Sequence, residues 1–268
     1  MRVACLQTNA GPDPEKNLSF IESQIPKAKK LKVKLLALPE VFAVRSRSEN
    51  LPEIAKASPK IIERFKSLAK KHKMAMLLGS LIESVKGQKK FYNTSYLISE
   101  NGKVIARYRK IHLFDSNVRQ ASVRESDYIV SGTKIISVKI MGIICGLSIC
   151  YDLRFPELYR KLMMRGAELI FIPANFTKVT GEAHWDSLVR ARAIENQAFV
   201  LAPAQVGVHA GNGIQSYGNS LIVDPWGRVL ARGSMNKQEL IWADLDFSEQ
   251  RQLRRRLPAL RHARLLTH

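Results

Sequence analysis

Short apolar runs alternate with segments of helical spacing along this chain, and the alternation constrains its fold more than any other feature. The run Arg2–Thr8 is typical of a buried strand, and apolar residues then recur at helical spacing from Leu18 to Ala28. A second strand is predicted at Val33–Leu38. Because strands and helices that alternate in this way pack in layers, the sequence predicts a layered α/β fold.

Two prolines indicate where the first two helices begin or break. Pro26 lies inside the first helical pattern, so a kink or an early stop is expected there. Pro59 is a favourable first residue for the second helix, which is predicted to run to about Lys73. The later elements are predicted as strands at Met74–Leu81, Glu168–Pro173, Ala198–Gln205, Ser220–Val223 and Glu239–Ala243, and as helices at about Pro156–Arg165 and Ala183–Gln197.

Glycines indicate two turns between strands. The dipeptide Asn101-Gly102 separates the runs Phe91–Ser99 and Val104–Lys110, which predicts a β-hairpin. The apolar run Ile135–Ile149 is too long for one strand, and Gly142 is predicted to divide it in two.

Composition excludes several classes of protein. The chain has 268 residues, of which 46% are hydrophobic and 25% are charged, as in ordinary globular proteins. No apolar run reaches the ~18 residues that a membrane helix needs, and the first residues turn polar too early for a secretory signal. Three cysteines cannot make a disulfide framework, and the odd count favours a reducing compartment. We therefore expect one cytoplasmic domain over residues 1–268, with no membrane partner.

The net charge of +20 is the unusual property of the sequence. It arises from 43 Lys and Arg residues against 23 Asp and Glu residues, and such an excess attracts nucleic acid in many proteins. Two basic clusters stand out, at Lys27–Lys34 and in the tail from Arg251 to Arg264. Neither cluster is interleaved with aromatic residues, and no zinc-finger or RNA-recognition signature is present. Solvated faces and an assembly tail are therefore favoured, and a nucleic-acid-binding protein is kept as a remote alternative.

Three residues that are able to carry acyl-transfer chemistry follow apolar strands. Glu40 ends LLALPE, Lys110 ends VIARYRK and Cys150 ends GLSIC, and α/β folds place their sites just past strand ends. A thiolate is a nucleophile, a carboxylate moves protons and an ammonium stabilises an oxyanion. Each residue also has an ordinary interpretation, as an inert core thiol, a turn cap or a solvated strand end. Spacing alone does not choose between these interpretations.

Longer strings around these residues resemble the nitrilase superfamily of carbon–nitrogen hydrolases. The matching strings are LPE at 38–40, YRKIHLFD at 108–115, RESDYIVSG at 124–132, ICYDLRFPELYR at 149–160, AHWDSLVRARAIENQAFV at 183–200 and SYGNSLIVDPWG at 216–227. They stand in the order of the family's Glu-Lys-Cys motifs and extend over essentially the whole chain. The residues that follow the cysteine are similar to the Nit amidase branch, which includes amidases of deaminated glutathione and ω-amidases.

The resemblance implies a fold, an assembly and an activity. The implied fold is a nitrilase-type α-β-β-α sandwich in a single domain. The implied assembly is a homodimer or higher homo-oligomer, with the tail at 246–268 used in dimerisation. The implied activity is that of a thiol amidase, which hydrolyses a small carboxamide to an acid plus amine or ammonia through a cysteine thioester. Deaminated glutathione is the favoured substrate, and α-ketoglutaramate or another small amide is the alternative.

The resemblance also implies a role for each site residue. Glu40 is implied as the general base, Lys110 as the group that stabilises the oxyanion and the thiolate, and Cys150 as the nucleophile. Glu125 is implied to orient the substrate amide and Lys110, and the backbone N–H of Tyr151 to be a second oxyanion donor. With all of these present, a catalytically dead scaffold is disfavoured. No group of His, Cys and acidic residues has metal-ligand spacing, so neither a metal nor a cofactor is expected.

Further residues are candidates for contact with substrate. The candidate substrate-binding residues are Arg154, Asn175, Phe176, Thr177, His184 and Trp185. Arg154 has a second interpretation, as the partner of Glu157 in an internal ion pair. Lys178 and Arg190 are expected near the entrance, and the glycine-rich loop at 207–215 is able to close over it. Cys5 and Cys145 are expected to be core thiols.

Overall fold

Two mixed β-sheets and the helices that cover them make up the fold. The computed structural model describes residues 1–118 and 121–264. The strands are β1 (Arg2–Gln7), β2 (Leu35–Ala37), β3 (Ala75–Ser84), β4 (Phe91–Ile98), β5 (Val104–Arg109), β6 (Asp115–Val118), β7 (Ala121–Arg124), β8 (Ser137–Ile140), β9 (Ile143–Leu147), β10 (Leu169–Phe171), β11 (Phe199–Ala202), β12 (Val206–Val208), β13 (Gln215–Tyr217), β14 (Leu221–Val223), β15 (Val229–Arg232) and β16 (Glu239–Asp244). The helices are α1 (Pro14–Lys30), α2 (Leu51–His72), α3 (Pro156–Met164), α4 (Lys178–Asn196), α5 (Phe247–Arg256) and α6 (Ala259–His262).

The two large sheets have similar topologies. The first has the order β16-β1-β2-β3-β4-β5, in which β1, β2 and β3 are parallel neighbours. The second has the order β15-β14-β11-β10-β9-β8, in which β9, β10 and β11 are parallel neighbours. Antiparallel strands flank both parallel cores, and the pairs β6–β7 and β12–β13 form separate two-stranded sheets. Each parallel core therefore presents its carboxyl ends at one edge of its sheet.

Alternate residues of the strands pack on opposite sides of the first sheet. Val3 and Cys5 of β1 belong to the core shared with the second sheet, whereas Leu6 belongs to the core beneath α1 and α2. The second sheet is covered by α3 and α4, and Gly146 of β9 permits close packing of α3, because a Cβ there would lie 3.0 Å from Leu162. The layers run helix, sheet, sheet, helix, so the predicted α-β-β-α sandwich is confirmed.

Three predicted helix boundaries are wrong. The early stop considered at Pro26 does not occur, and the first helix continues to Lys30, because the buried stripe that ends at Ile25 and Ala28 offsets the hydrogen bond lost at the proline. The second helix begins at Leu51, so that Pro59 lies inside it. The helix predicted from residue 183 begins at 178, where the Thr177 side chain caps it.

Both predicted turns between strands are confirmed. β4 and β5 pair antiparallel around the Asn101-Gly102 loop, as predicted. Gly142 adopts a φ of +83° between β8 and β9, a conformation that glycine accepts without strain, so the predicted division is confirmed. The strands not predicted are β6, β7, β12, β13 and β15.

The C-terminal tail is partly packed against its own chain. Phe247 of α5 contacts Phe199 edge to face, and Gln250 donates to the carbonyls of Glu168 and Gln197. The apolar residues Leu265 and Leu266 of this tail lie outside the described residues. Within the described ranges, no helix has both the length and the apolar character that crossing a bilayer requires.

Candidate active site

Four residues from four different strand ends meet in one buried cluster. Glu40 follows β2, Lys110 follows β5, Glu125 follows β7 and Cys150 follows β9. Lys110 Nζ donates to Glu40 Oε1 at 3.0 Å and to Glu125 Oε2 at 2.8 Å. All four side chains are buried and line a cavity of about 180 Å³. The structure thus brings together the four residues that the sequence analysis proposed as catalytic.

The strand directions explain why these residues meet. β2 and β9 belong to the parallel cores of the two sheets, so Glu40 and Cys150 emerge at carboxyl edges. β5 is antiparallel to β4, which is antiparallel to β3, so Lys110 emerges at the same edge as Glu40. The two sheets face each other across the shared core, which places the two edges side by side.

Both oxygens of the Glu40 carboxylate are held in place. Oε1 accepts from Lys110 and from Asn93 Nδ2, each at 3.0 Å. Oε2 accepts from the backbone N–H of Asn175 at 2.9 Å. The carboxylate plane is therefore fixed by three donors on three different segments.

The second carboxylate is held just as firmly. Glu125 Oε2 accepts from the backbone N–H of Phe114 at 2.7 Å as well as from Lys110. Asn93 Nδ2 also lies 3.3 Å from Glu125 Oε1, so that one amide contacts both carboxylates. Together with the two carboxylates, Asn93 forms a clamp around Lys110, a role that no sequence pattern indicated. Its only signal was an amide that directly follows two aromatic residues at the start of the β4 run.

Cys150 lies on a strained turn. Its φ is +48°, in the left-handed region that non-glycine residues rarely adopt, and its backbone N–H donates to Pro173 O at 2.9 Å. A 3₁₀ turn follows over Cys150–Arg154, and the Tyr151 N–H has no acceptor within the described parts of the chain. A free N–H beside a nucleophile is able to donate to a developing oxyanion.

Asp152 fixes this turn to the loop that carries Lys110. It is fully buried and accepts from the Tyr108 hydroxyl at 2.6 Å and from the Ile149 N–H at 2.8 Å. The backbone N–H of His112 donates to it at 3.0 Å, and the His112 ring stacks on Phe155. His112 therefore orders the loop after Lys110.

The electrostatics of the cluster keep the cysteine protonated at rest. Burial raises the pKa of the Cys150 thiol well above its usual value, the adjacent Glu40 raises it further, and Lys110 opposes both. Burial alone would lower the pKa of Lys110, but Glu125 and Glu40 hold that pKa well above its usual value. The resting site thus combines a neutral thiol, a charged ammonium and a carboxylate whose charge acts on both.

A model of the carbon–nitrogen hydrolase family matches residues 2–255. The chain belongs to the carbon–nitrogen hydrolase family. It resembles the deaminated glutathione amidase of Dictyostelium discoideum, with 38% identity over 98% of this chain and 94% of that protein. It is 39% identical to the deaminated glutathione amidase of Synechocystis over 97% of this chain and 96% of that one. The nitrilase-superfamily prediction is confirmed.

Solved structures agree with this assignment. The Caenorhabditis elegans NitFhit protein superposes with a TM-score of 0.92 and 37% identity over 99% of this chain and 66% of that one. Saccharomyces cerevisiae Nit3, a member of branch 10 of the nitrilase superfamily, gives 0.86 and 30% identity over 96% and 94%. A variant of the Nesterenkonia sp. AN1 amidase gives 0.81 and 27% identity over 96% and 94%, and carries the acetamide moiety of fluoroacetamide covalently at its active-site cysteine. This carbon–nitrogen hydrolase is thus an enzyme that acts on non-peptide carbon–nitrogen bonds.

Two of the candidate substrate-binding residues lie at the cavity of this hydrolase. Asn175 and Thr177 line it, on the segment between β10 and α4. Asn175 contributes its N–H to Glu40, and its side-chain oxygen accepts from Ser216 Oγ at 2.6 Å. The same short segment therefore holds the base and forms part of the cavity wall.

The other candidates lie elsewhere. Trp185 is fully buried, donates to Asn219 O and packs on Phe176, because α4 begins early and turns this face inward. Arg154 Nη1 lies 3.2 Å from His184 Nδ1, and Arg154 forms no ion pair with Glu157. The cavity is not lined by Arg154, Phe176, His184 or Trp185, and it is not lined by Lys178 or Arg190 either. A second cation besides Lys110, Arg45, also lines the cavity, and no sequence pattern pointed to it.

No group of three or more His, Cys, Asp or Glu residues in the described ranges is arranged to hold a metal ion.

Proposed function

We propose that this enzyme hydrolyses the amide of deaminated glutathione through a thioester on Cys150. The observation that carries the proposal is the contact of Lys110 with both Glu40 and Glu125 beside the thiol in one small cavity. The substrate is supported by the names of relatives at 38–39% identity that align over nearly their whole length. The products are cysteinylglycine and α-ketoglutarate.

In the first step, Cys150 Sγ attacks the amide carbon while Glu40 takes the thiol proton. Glu40 is assigned this role because, of the two carboxylates in the cluster, it is the one whose charge acts on the Cys150 thiol. The sulfur–carbon bond forms as the carbonyl electron pair moves to oxygen. Lys110 and the Tyr151 N–H donate to that oxyanion. Glu125 holds Lys110 in position and does not exchange protons.

In the second step, the carbon–nitrogen bond breaks and Glu40 gives its proton to the departing nitrogen. The amine leaves with that proton, and the acyl group stays on sulfur as a thioester. Water then enters, Glu40 takes one of its protons, and the oxygen attacks the thioester carbon. The carbon–sulfur bond breaks, the acid is released, and the proton returns to the thiolate. No metal or cofactor takes part in this scheme.

The comparison of two amides tests the substrate. Deaminated glutathione and α-ketoglutaramate share an acyl group and differ in the leaving amine, so α-ketoglutarate formation measures both. We expect kcat/KM for deaminated glutathione to be at least roughly 10-fold higher, about 1.4 kcal/mol in transition-state binding. Cys150→Ala is the inactive control. Equal or reversed values would identify an ω-amidase instead, and product from neither would refute the substrate assignment.

We also propose a cytoplasmic homodimer without a nucleic-acid partner. The three free cysteines support a reducing compartment, since the nucleophile must stay a thiol to act. Exposed apolar side chains on α3, α4 and the tail support a subunit contact.

A further inference from the structure

Arg45 is a buried cation without an anionic partner. It is 1% exposed, and it lines the cavity that holds Cys150. No carboxylate within the described ranges forms an ion pair with it. Burial lowers the pKa of its guanidinium to about 10, so it stays charged at neutral pH. Its hydrogen bonds go from Nε to Ala10 O, from Nη1 to Ser216 Oγ, and from Nη2 to Asn9 Oδ1 and Val206 O.

These bonds satisfy the guanidinium without neutralising it. All four acceptors are uncharged, and a guanidinium has five N–H donors, so one N–H on Nη1 is left over. A buried charge is costly unless an opposite charge accompanies it. A cavity that keeps such a cation is suited to a ligand that supplies the anion.

Two further donors line the cavity together with Arg45. His209 Nδ1 accepts from the Gly211 N–H at 2.9 Å, so the neutral ring carries its proton on Nε2. Burial and the neighbouring Arg45 both lower the pKa of His209, which keeps the ring neutral. Asn212 accepts from the Ile214 N–H through Oδ1, which leaves its amide N–H groups for a ligand.

The charges of the reaction centre explain why a second cation is useful. Glu40, Glu125 and Lys110 together carry a net charge of −1, which repels an anionic substrate. Arg45 offsets that charge, and it is tied to the base through a chain of hydrogen bonds. Arg45 donates to Ser216, Ser216 donates to the Asn175 side chain, and the Asn175 N–H donates to Glu40. The cation and the base are thus held at fixed positions in one cavity.

We propose that Arg45 binds the carboxylate at the non-reacting end of the substrate and selects small amides that carry one. The proposal rests on the amidase function proposed above, and it deepens that function by naming the substrate class. A carboxylate on the Nη1–H of Arg45, with the amide carbon at Cys150, would hold the substrate at two points. Two-point binding of this kind orients the reacting carbon.

The test compares two four-carbon amides, succinamate and butyramide, which differ by a carboxylate in place of a methyl group. For the natural protein we expect kcat/KM for succinamate to exceed that for butyramide at least roughly 10-fold. We expect Arg45→Met to lower this ratio on the order of 30-fold and Arg45→Lys to lower it less. Arg47→Met is the matched control, because Arg47 is exposed, pairs with Glu49 and does not line the cavity.

The outcomes separate this proposal from the proposed function. A ratio near or below one in the natural protein overturns the role of Arg45, whether or not the variants fold. An Arg45→Met variant that loses both activities equally overturns it as well, since that is the effect of a structural residue. Succinate binding by calorimetry is a second readout, which we expect to weaken at least roughly 10-fold in Arg45→Met. Binding without hydrolysis of any amide would refute the amidase proposal alone, and absence of both would refute the two together.

Discussion

At the scale of single residues, the site depends on a clamp around Lys110. Two carboxylates compete for one ammonium, and Asn93 donates to both. Without that amide, the Glu40 and Glu125 carboxylates would lose a hydrogen-bond donor that they share. The Glu40 side chain would then keep only Lys110 and the Asn175 N–H as donors. The clamp therefore determines where the base lies relative to the thiol.

We expect Asn93→Ala to lower kcat on the order of 10²-fold, because a small displacement of the base disrupts the reacting geometry. KM should change much less, since Asn93 acts through Glu40 and Glu125 and not on the substrate. Steady-state kinetics with a thermal melt checks this, and the exposed Asn101→Ala is the control. A variant that melts normally and keeps its kcat would show that the clamp is unnecessary.

The sequence reveals some of these residues and hides others. Glu40, Lys110 and Cys150 are conspicuous because each ends an apolar run, where a site is expected. Asn93 lies within a strand, and its role depends on β4 running opposite to its neighbours so that its start reaches the same edge. Arg45 acquires its role from segments that are distant in the chain, at Ala10, Val206 and Ser216. Local patterns carry no information about such contacts.

At the scale of elements, apolar stripes predict where a helix begins and ends better than prolines do. Both long helices of the first layer contain a proline, at Pro26 and Pro59, and both continue past it because their buried faces continue. The short strands β12, β13 and β15 were not predicted, since they are brief and only partly apolar. Their pairing is fixed by tertiary contacts and not by local preference.

One ion cluster joins three strands of the first sheet. Glu83 of β3 accepts from Arg109 of β5 at 2.6 Å and from the Thr94 hydroxyl of β4 at 2.9 Å. Burial by itself would raise the pKa of Glu83, but these hydrogen bonds and the charge of Arg107 lower it. A lowered pKa in the folded state stabilises the protein above the unfolded pKa of about 4.3, and that stability is lost as the pH falls through the folded value.

We therefore expect Glu83→Gln to reduce the free energy of unfolding by about 1 kcal/mol at pH 7. The difference from the natural protein should shrink as the pH falls from about 4.3 through the lowered pKa of the folded carboxylate, which then becomes protonated. Urea denaturation at several pH values measures both quantities. Glu63→Gln, which removes an exposed pair with Lys66, should change stability little. A Glu83→Gln effect that is constant with pH would contradict the assigned cause.

At the scale of the whole molecule, the surface carries apolar side chains that suggest an assembly. Met164 ends α3, Ile194 lies on α4 beside Gly227, and Leu257 follows α5. All three are more than one-third exposed, as is the neighbouring Trp226. Large exposed apolar groups on a globular chain often mark a subunit contact.

We expect light scattering to give at least twice the chain mass of 30.3 kDa at micromolar concentration. Leu257→Asp and Ile194→Asp should each shift the mass toward the monomer, because a buried charge opposes the contact. Val104→Asp is a control on an exposed apolar residue of an edge strand away from these helices. A clean monomer for the natural protein would contradict the homodimer and leave the basic tail in need of another role.

The central claim is that Cys150 carries the acyl group during turnover. Its most direct test is the mass of the intact protein, quenched with acid while it turns over deaminated glutathione. We expect a fraction of the natural protein to gain the mass of the α-ketoglutaryl group, mapped by peptide analysis to Cys150, and Cys150→Ala to show neither adduct nor product. Product formation by Cys150→Ala, or an adduct on Cys5 or Cys145 in place of Cys150, would contradict the account.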